Sequence, residues 1–167
     1  MTKILMTISG GGFMWQSNAV LQSLIDEFDI SIIVPYDTVG IIEKLNLNEK
    51  PGKDKIHHVH SIGTVSSNNI KDVIKRLIDT YKECRSILAT TNPDYVICVA
   101  SSIAVPLFIA AKLKKKQTIY IDSITRVEKP SLTGKILDRL HLCNKFYVQW
   151  PELDDKYRSS IYKGTII

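Results

Sequence analysis

The stretch Lys3-Ile4-Leu5-Met6-Thr7-Ile8-Ser9-Gly10-Gly11-Gly12 decides the fold, because it joins an apolar run to a turn of three glycines. Residues 3–8 are typical of a strand that is covered on both faces. Beyond the glycines, apolar side chains recur with the period of a helix, at positions 14, 20, 21, 24, 25 and 28. A second apolar run, residues 30–35, ends at a proline, as a strand leaving a sheet does. This part of the chain therefore predicts a β-α-β unit.

The rest of the chain continues the alternation. Apolar runs predict four more strands, at residues 56–60, 95–99, 117–122 and 145–149. Helical spacing predicts helices at residues 38–46, 68–89, 103–113 and 132–141. About six strands with interleaved helices indicate an α/β fold with a Rossmann-like, doubly wound, mostly parallel sheet. Ligands bind such sheets beyond the carboxyl ends of the strands, so the loops of interest are residues 9–14, 35–38, 61–68, 100–103, 122–132 and 149–156.

Composition limits the class of protein. A chain of 167 residues, 44% of them apolar, predicts a single domain over residues 1–167. It has no apolar run long enough to cross a bilayer and no signal-peptide pattern, so we expect a cytoplasmic protein. The net charge of +5 is too small to indicate nucleic-acid binding, but it suits an anionic membrane face or a phosphorylated ligand. Three widely spaced cysteines predict reduced, mostly buried thiols.

The glycine turn is the first candidate binding site. Backbone N–H groups of Gly10, Gly11 and Gly12, together with the helix that follows, can accept an anion. The dinucleotide pattern GxGxxG would need a glycine where Trp15 stands, and the phosphate loop GxxxxGK[ST] is absent from the sequence. A tight turn without a ligand therefore remains an alternative.

The histidine cluster is a weak metal candidate. His58 and His60 would share one face of a strand and His57 the other, and the sequence shows no third ligand nearby. We expect no metal site and no cofactor.

The densest group of polar residues is residues 122–135, at the end of a predicted central strand. Arg126 can hold a phosphate with two hydrogen bonds and Asp122 can hold a sugar hydroxyl. Two simpler alternatives stay open: a surface ion pair between Asp122 and Arg126, and an ordinary helix cap at Ser131.

Three runs of sequence also resemble a known family. They are Tyr120-Ile121-Asp122-Ser123-Ile124-Thr125-Arg126-Val127, then Ser131-Leu132-Thr133-Gly134-Lys135, then Val148-Gln149-Trp150-Pro151-Glu152-Leu153. The chain resembles the acceptor-side, membrane-recruiting subunits of two-component UDP-GlcNAc-type transferases. These include the PssD-like proteins of capsule and exopolysaccharide synthesis and the dolichol-pathway anchoring subunit. Residues 92–97 and 162–166 extend the resemblance over most of the chain.

The resemblance implies the N-terminal, acceptor-binding half of a split GT-B glycosyltransferase, similar to one half of MurG. A small partner subunit would bind the UDP-sugar, and the chain would be inactive alone. The implied reaction transfers a sugar to a polyprenyl-diphosphate-linked saccharide at the cytoplasmic membrane face. This fold needs no metal in principle, because helix dipoles and polar groups can stabilise the departing diphosphate.

The same resemblance implies roles for individual residues. The glycine turn would approach the acceptor, and the following loop would line the cleft through Ser123, Arg126, Ser131, Thr133 and Gly134. Asp122 is the candidate catalytic base. The partner subunit would contact the segment Gln149, Trp150, Pro151, Glu152 and Leu153, together with the C-terminal tail.

The sequence departs from the family in two positions and in one segment. Relatives commonly have Gly-Gly-His in the first loop, whereas Phe13 follows the glycines here, so this loop lacks an imidazole base. Asp122 stands where relatives often have glutamate, which shortens the reach of the carboxylate. Eukaryotic relatives have an N-terminal transmembrane helix, whereas this sequence begins in its first strand, so we expect peripheral recruitment through Phe13, Met14 and Trp15.

Alternatives remain for both the surface and the function. The three apolar residues at positions 13–15 can instead pack in the core or against the partner. The chain can be a non-catalytic activator or scaffold of the partner transferase. A stand-alone Rossmann nucleotide-binding enzyme is a further alternative, because this fold supports many functions.

Overall fold

The computed structural model describes residues 1–38, 40, 52–62 and 70–166. Seven strands form the sheet: β1 (Lys3–Thr7), β2 (Asp29–Pro35), β3 (Ile56–Val59), β4 (Tyr95–Val99), β5 (Gln117–Ile121), β6 (Lys145–Val148) and β7 (Ser160–Tyr162). The α-helices are α1 (Gly12–Leu24), α2 (Ile70–Thr91), α3 (Ala104–Leu113) and α4 (Leu132–Arg139). Short 3₁₀ helices lie at Lys53–Lys55 and Pro151–Leu153.

The sheet has the order β3-β2-β1-β4-β5-β6-β7, and every neighbouring pair is parallel. The α/β prediction is confirmed. Strand order reverses between β1 and β4, because the chain first builds outward through β2 and β3 and then returns to the other side of β1. A crevice opens at such a reversal beyond the carboxyl ends of the two strands, and this is where open sheets bind ligands.

Alternating side chains of the strands divide the interior into two cores, which makes the sheet doubly wound. Leu5 and Val96 face a core shared with α2, α3 and α4. Ile4, Met6 and Ile97 face the opposite core, which Leu21 of α1 helps to fill. Covering both faces explains why these strands have uninterrupted apolar sequences rather than alternating ones.

The predicted boundaries need three corrections. The prediction of about six strands missed β7, a three-residue edge strand whose residues Ser160, Ile161 and Tyr162 pair with β6. With only three residues, it is too short to produce a recognisable pattern. The helix predicted to residue 141 ends at Arg139, and the one predicted over residues 68–89 spans Ile70–Thr91. The helix predicted at residues 38–46 and most of the loop at 61–68 lie outside the described residues.

Candidate functional site

A pocket of about 260 Å³ lies at the carboxyl edge of the sheet, where the strand order reverses. Residues following β1, β4 and β5 line it, as the parallel sheet requires. Eight of its fourteen lining residues have polar or charged side chains: Ser9, Ser101, Ser102, Asp122, Ser123, Arg126, Ser131 and Thr133. The pocket thus combines a cation, a carboxylate and several hydroxyl groups in one place.

Three helices begin around this pocket. Phe13 in the first turn of α1, Ile103 before α3 and Leu132 at the start of α4 all contribute to its lining. The N-terminus of a helix carries a partial positive charge and unpaired backbone N–H groups. Three such ends next to Arg126 make the pocket electrostatically suited to an anion.

The glycine turn adopts a conformation that its sequence makes possible. Gly11 has φ of 69°, in the left-handed region that favours glycine, and it lies at the N-cap of α1. A Cβ on Gly10 would collide with the methyl group of Thr38. Gly12 has open space around it, with no described heavy atom within 4 Å of an added Cβ. The backbone geometry of the turn therefore requires glycine at positions 10 and 11. Contact between the turn and a ligand stays a prediction.

Asp122 lies at the bottom of the pocket with its side chain held on both sides. Its Oδ1 accepts a hydrogen bond of 2.9 Å from the backbone N–H of Ser123, and its Oδ2 accepts one of 2.5 Å from the hydroxyl of Tyr157. The residue is fully buried, whereas Arg126 is exposed. The alternative of a surface ion pair between Asp122 and Arg126 is wrong, because the carboxylate lies inside and is bound by other donors.

Ser131 caps α4, as the simpler alternative proposed. Its Oγ accepts a hydrogen bond of 2.9 Å from the N–H of Gly134. Its own N–H donates to the hydroxyl of Tyr157 at 3.0 Å. Gly134 must be small, because an added Cβ would lie 2.5 Å from that hydroxyl and 2.8 Å from Ser131 Oγ. The motif around Ser131 therefore has a structural explanation that does not involve a ligand.

A buried amide pair ties the pocket loop to both ends of the chain. Gln149 Nε2 donates to Gln16 Oε1 at 2.7 Å and to the carbonyl of Asp122 at 2.8 Å. Gln149 Oε1 accepts from the N–H of Ile166 at 3.0 Å, and Gln16 Oε1 also accepts from the N–H of Ile124 at 2.9 Å. Both glutamines are 1% exposed. Their side chains supply hydrogen-bond partners for backbone groups of the loop, at Asp122 and Ile124, which would otherwise lack them.

The segment predicted to meet a partner is divided between the interior and the surface. Gln149 and Leu153 are buried within this chain, so they can support such a surface only from beneath. Pro151 and Glu152 are exposed. Trp150 is partly buried, and its Nε1 donates to the carbonyl of Ile124 at 2.6 Å.

Phe13, Met14 and Trp15 point into three different environments. Phe13 lines the polar pocket, and Met14 packs against the core on the α1 face of the sheet. Trp15 is 62% exposed and borders a shallow groove of about 680 Å³ between α1 and Ile124. The three residues therefore do not form one exposed patch, because successive residues of a helix point about 100° apart.

The histidines form a packed aromatic group. Tyr36 contacts His58 and His60, with ring centroids 5.6 and 5.0 Å apart, so these two histidines share a face as predicted. His60 Nδ1 lies 2.6 Å from a carboxylate oxygen of Glu83. Among the described residues, histidine, cysteine and carboxylate side chains make no group of three or more suited to a metal ion.

Two residues of the site gave little signal in the sequence. Tyr157, which holds Asp122, lies 35 residues further along the chain in a polar segment. Gln16 occupies a buried position of α1 among apolar residues, and this placement of an amide is the signal that was available. Burial raises the pKa of Tyr157 above its ordinary value, and the hydrogen bond to Asp122 adds to this effect. The phenol therefore stays protonated and can donate a hydrogen bond to the carboxylate.

Similarity in sequence points to one family. Residues 31–166 match the family model described as "Oligosaccharide biosynthesis protein Alg14 like". The human UDP-N-acetylglucosamine transferase subunit ALG14 is 40% identical over 87 residues, which cover 48% of this chain and 39% of that protein. The Saccharomyces cerevisiae protein of the same name is 44% identical over 101 residues, covering 59% of this chain and 42% of its own. The matched segments thus span about two fifths of these relatives' length.

Similarity in structure identifies the fold. MurG from Acinetobacter baumannii superimposes with a TM-score of 0.71 at 14% identity, over 100% of this chain and 45% of that one. A UDP-N-acetylglucosamine 2-epimerase from Rickettsia bellii gives 0.70 at 12% identity, over 99% and 45%. The glycosyltransferase of kitacinnamycin gives 0.69 at 12% identity, over 98% and 51%. The chain corresponds in each case to about one half of a longer enzyme, and the GT-B half-fold is confirmed.

Proposed function

Because the chain belongs to the family of Alg14-like oligosaccharide biosynthesis proteins, we propose that it is the acceptor-binding subunit of a two-chain glycosyltransferase. The enzyme transfers a sugar from a UDP-sugar to a polyprenyl-diphosphate-linked saccharide, in the synthesis of a capsular polysaccharide, an exopolysaccharide or a lipid-linked oligosaccharide. Residues 1–167 supply one domain of the GT-B type. A small partner subunit supplies the domain that binds the UDP-sugar.

The observation that carries this proposal is the pocket at the strand reversal. Its converging helix N-termini, its hydroxyl groups and Arg126 suit a diphosphate better than a neutral ligand. In this proposal the backbone of Gly10, Gly11 and Gly12 approaches the acceptor diphosphate. The human and Saccharomyces cerevisiae relatives are both subunits of a UDP-N-acetylglucosamine transferase, which adds support for a heteromeric enzyme.

Asp122 is our candidate for the group that accepts the proton of the acceptor hydroxyl. A carboxylate has about four lone-pair sites, and the described hydrogen bonds from Ser123 and Tyr157 occupy two of them. Because Asp122 is fully buried, a sugar hydroxyl reaches the remaining sites only when acceptor binding shifts the loop above the carboxylate. Phe13 lines the same pocket and contributes apolar surface, so it cannot take the role of the histidine that relatives have there.

We place the contact with the membrane on α2 as well as on Trp15. Ile74 and Ile78 are 50% and 46% exposed, and helical geometry puts them on the same side as Lys71, Lys75, Lys82 and Arg85. The carboxylates of α2, at Asp72, Asp79 and Glu83, are centred about 140° around the helix from the two isoleucines, and Asp79 borders Lys75 and Lys82. Apolar side chains flanked by cations suit the surface of an anionic bilayer. None of the helices in the described ranges combines the length and apolar character needed to cross a bilayer.

Vesicle binding tests the membrane contact. The double variant Ile74→Ser/Ile78→Ser should reduce sedimentation with vesicles of phosphatidylglycerol and phosphatidylcholine, whereas Trp15→Ser should reduce it less. Leu113→Ser is the matched control, because Leu113 is 71% exposed beside Lys112, Lys114 and Lys115 at the end of α3. Equal loss from the control and the double variant would contradict a specific role for α2.

Reconstitution tests the enzymatic function. The chain is co-expressed with its small partner, and transfer from UDP-GlcNAc to a polyprenyl-diphosphate-linked GlcNAc is measured with each subunit alone and with the pair. We expect transfer only from the pair. Full activity of the partner alone on membranes would exclude a catalytic contribution from this chain.

The scaffold alternative has one structural argument in its favour, which is that Asp122 is already bound by two donors. The variants Asp122→Asn and Arg126→Ala separate the two functions. Lost turnover with an intact complex supports catalysis, whereas lost complex with normal specific activity of the residual pair supports scaffolding. Tight binding of a nucleotide by the isolated chain would instead support the stand-alone enzyme.

A further inference from the structure

The hydroxyl of Tyr157 is the meeting point of three parts of the pocket. It donates to Asp122 at the end of β5 and accepts from the N–H of Ser131 at the start of α4. The ring packs on Phe146 of β6, with centroids 4.5 Å apart. Tyr157 is 6% exposed, so these contacts are made inside the protein. One oxygen atom thus connects the carboxylate, the cap of α4 and the segment that follows the second 3₁₀ helix.

The arrangement fixes the plane of the Asp122 carboxylate. The N–H of Ser123 holds Oδ1 from the backbone of the same loop, which alone would leave the group free to turn about its Cβ–Cγ bond. The phenol holds the other oxygen from across the pocket floor. Two donors on different oxygens define a plane, so the unused lone pairs keep one direction.

The surroundings of the hydroxyl are built for it. Gly134 leaves room for the oxygen, since a Cβ there would lie 2.5 Å away. Because burial raises its pKa, the phenol stays protonated and remains a donor toward Asp122. The N–H of Ser131 supplies the complementary donor to the phenol oxygen. A phenylalanine would keep the packing on Phe146 and lose all of this polar arrangement.

We infer that Tyr157 is a positioning residue for sugar transfer, which orients the Asp122 carboxylate toward the acceptor hydroxyl. The inference rests on the proposed function, in which Asp122 accepts that proton. Tyr157 acts through Asp122 and, in this role, contacts neither sugar nor diphosphate. Loss of its hydroxyl frees the carboxylate to rotate, and misplacing a reacting group by about 1 Å costs on the order of 100-fold in rate.

The test uses the complete complex of this chain with its partner and the assay with UDP-GlcNAc and polyprenyl-diphosphate-linked GlcNAc. Tyr157→Phe should lower kcat by roughly 10- to 100-fold. The KM for UDP-GlcNAc should stay unchanged, because the partner binds that substrate. Tyr81→Phe, which removes a hydroxyl from a partly buried tyrosine of α2 outside the pocket, should keep the wild-type kcat.

A double-mutant cycle distinguishes positioning from mere structural support. If Tyr157 acts through Asp122, the double variant Tyr157→Phe/Asp122→Asn is no slower than Asp122→Asn alone. A further loss in the double variant, equal to the loss from Tyr157→Phe in the wild type, would overturn the inference. Co-purification with the partner and the thermal midpoint are measured first. If Tyr157→Phe does not fold, Gly134→Ala takes its place in the cycle, since it displaces the same hydroxyl.

The outcomes also separate the inference from the proposed function. If Asp122→Asn transfers sugar at the wild-type rate, the role of Asp122 is wrong and the positioning role falls with it. If Asp122→Asn is slow and Tyr157→Phe has the wild-type kcat, only the positioning role is overturned. A slow Tyr157→Phe with a non-additive cycle supports both.

Discussion

Replacing Gly134 by alanine should destabilise the protein, although glycine is normally the poorer residue in a helix. Gly134 lies in the first turn of α4, where alanine would gain about 1 kcal/mol from helix propensity. The added Cβ would lie 2.5 Å from Tyr157 Oη and 2.8 Å from Ser131 Oγ, whereas ordinary contacts begin near 3.4 Å. One of these groups must therefore move by nearly 1 Å.

The magnitude follows from these contacts. Forcing a methyl group into a packed site costs about 1–3 kcal/mol. Displacing the phenol also weakens its hydrogen bond to Asp122, and a buried hydrogen bond contributes about 1 kcal/mol. Set against the gain in helix propensity, the free energy of unfolding should fall by about 1–3 kcal/mol. For a domain of this size the melting temperature then falls by about 3–10 °C.

Thermal unfolding followed by circular dichroism measures the effect, and urea titration gives the free energy. Gly12→Ala is the matched control, because Gly12 is also in the first turn of a helix but an added Cβ there meets no described heavy atom within 4 Å. We expect the control to melt at or above the wild-type temperature. A Gly134→Ala protein as stable as its control would refute the steric reasoning.

Two further predictions concern buried polar groups. Gln149→Leu removes the buried donor to Gln16 and the acceptor for the N–H of Ile166, so the free energy of unfolding should fall by about 2–4 kcal/mol and hydrogen exchange at Ile166 should accelerate. An exchange rate unchanged from the wild type would contradict this prediction. Gln117→Leu, at an exposed position, serves as the control. Burial raises the pKa of the Cys98 thiol from 9.0 to about 11. Because its folded-state pKa is the higher one, its contribution to stability is complete below pH 9 and is lost as the pH rises from about 9 to 11, by on the order of 3 kcal/mol. Urea titrations at pH 7, 9 and 10.5 should show a shallower decline in Cys98→Ala than in the wild type, and identical slopes would argue against a buried protonated thiol.

Sequence patterns predicted those parts of the fold that depend on local composition. The β4 run at residues 95–99 is continuously apolar because the strand is covered on both faces, and its predicted bounds are the observed ones. The glycine turn and α1 were predicted from the same kind of signal. Edge strand β7 was missed, because pairing with β6 on one side alone does not demand an apolar sequence.

The candidate site was predicted less completely, for a different reason. The loop holding Asp122 was recognisable from its polarity and position, whereas the hydrogen bond from Tyr157 to its carboxylate comes from a residue 35 positions further along the chain. The grouping of Phe13, Met14 and Trp15 relied on adjacency in the sequence, and helical rotation separates adjacent side chains. Contacts between residues distant in the chain leave little trace in local patterns.

The pairing of Gln16 with Gln149 has a consequence for how the protein is made. These residues are 133 positions apart, and the pocket loop between β5 and α4 relies on both. During synthesis, α1 emerges first and its amide has no Gln149 to bind until 133 more residues have been translated. Long-range contacts of this kind form late and slowly. We therefore expect the pocket to be the last part of the domain to mature on the ribosome, after most of the sheet has already assembled.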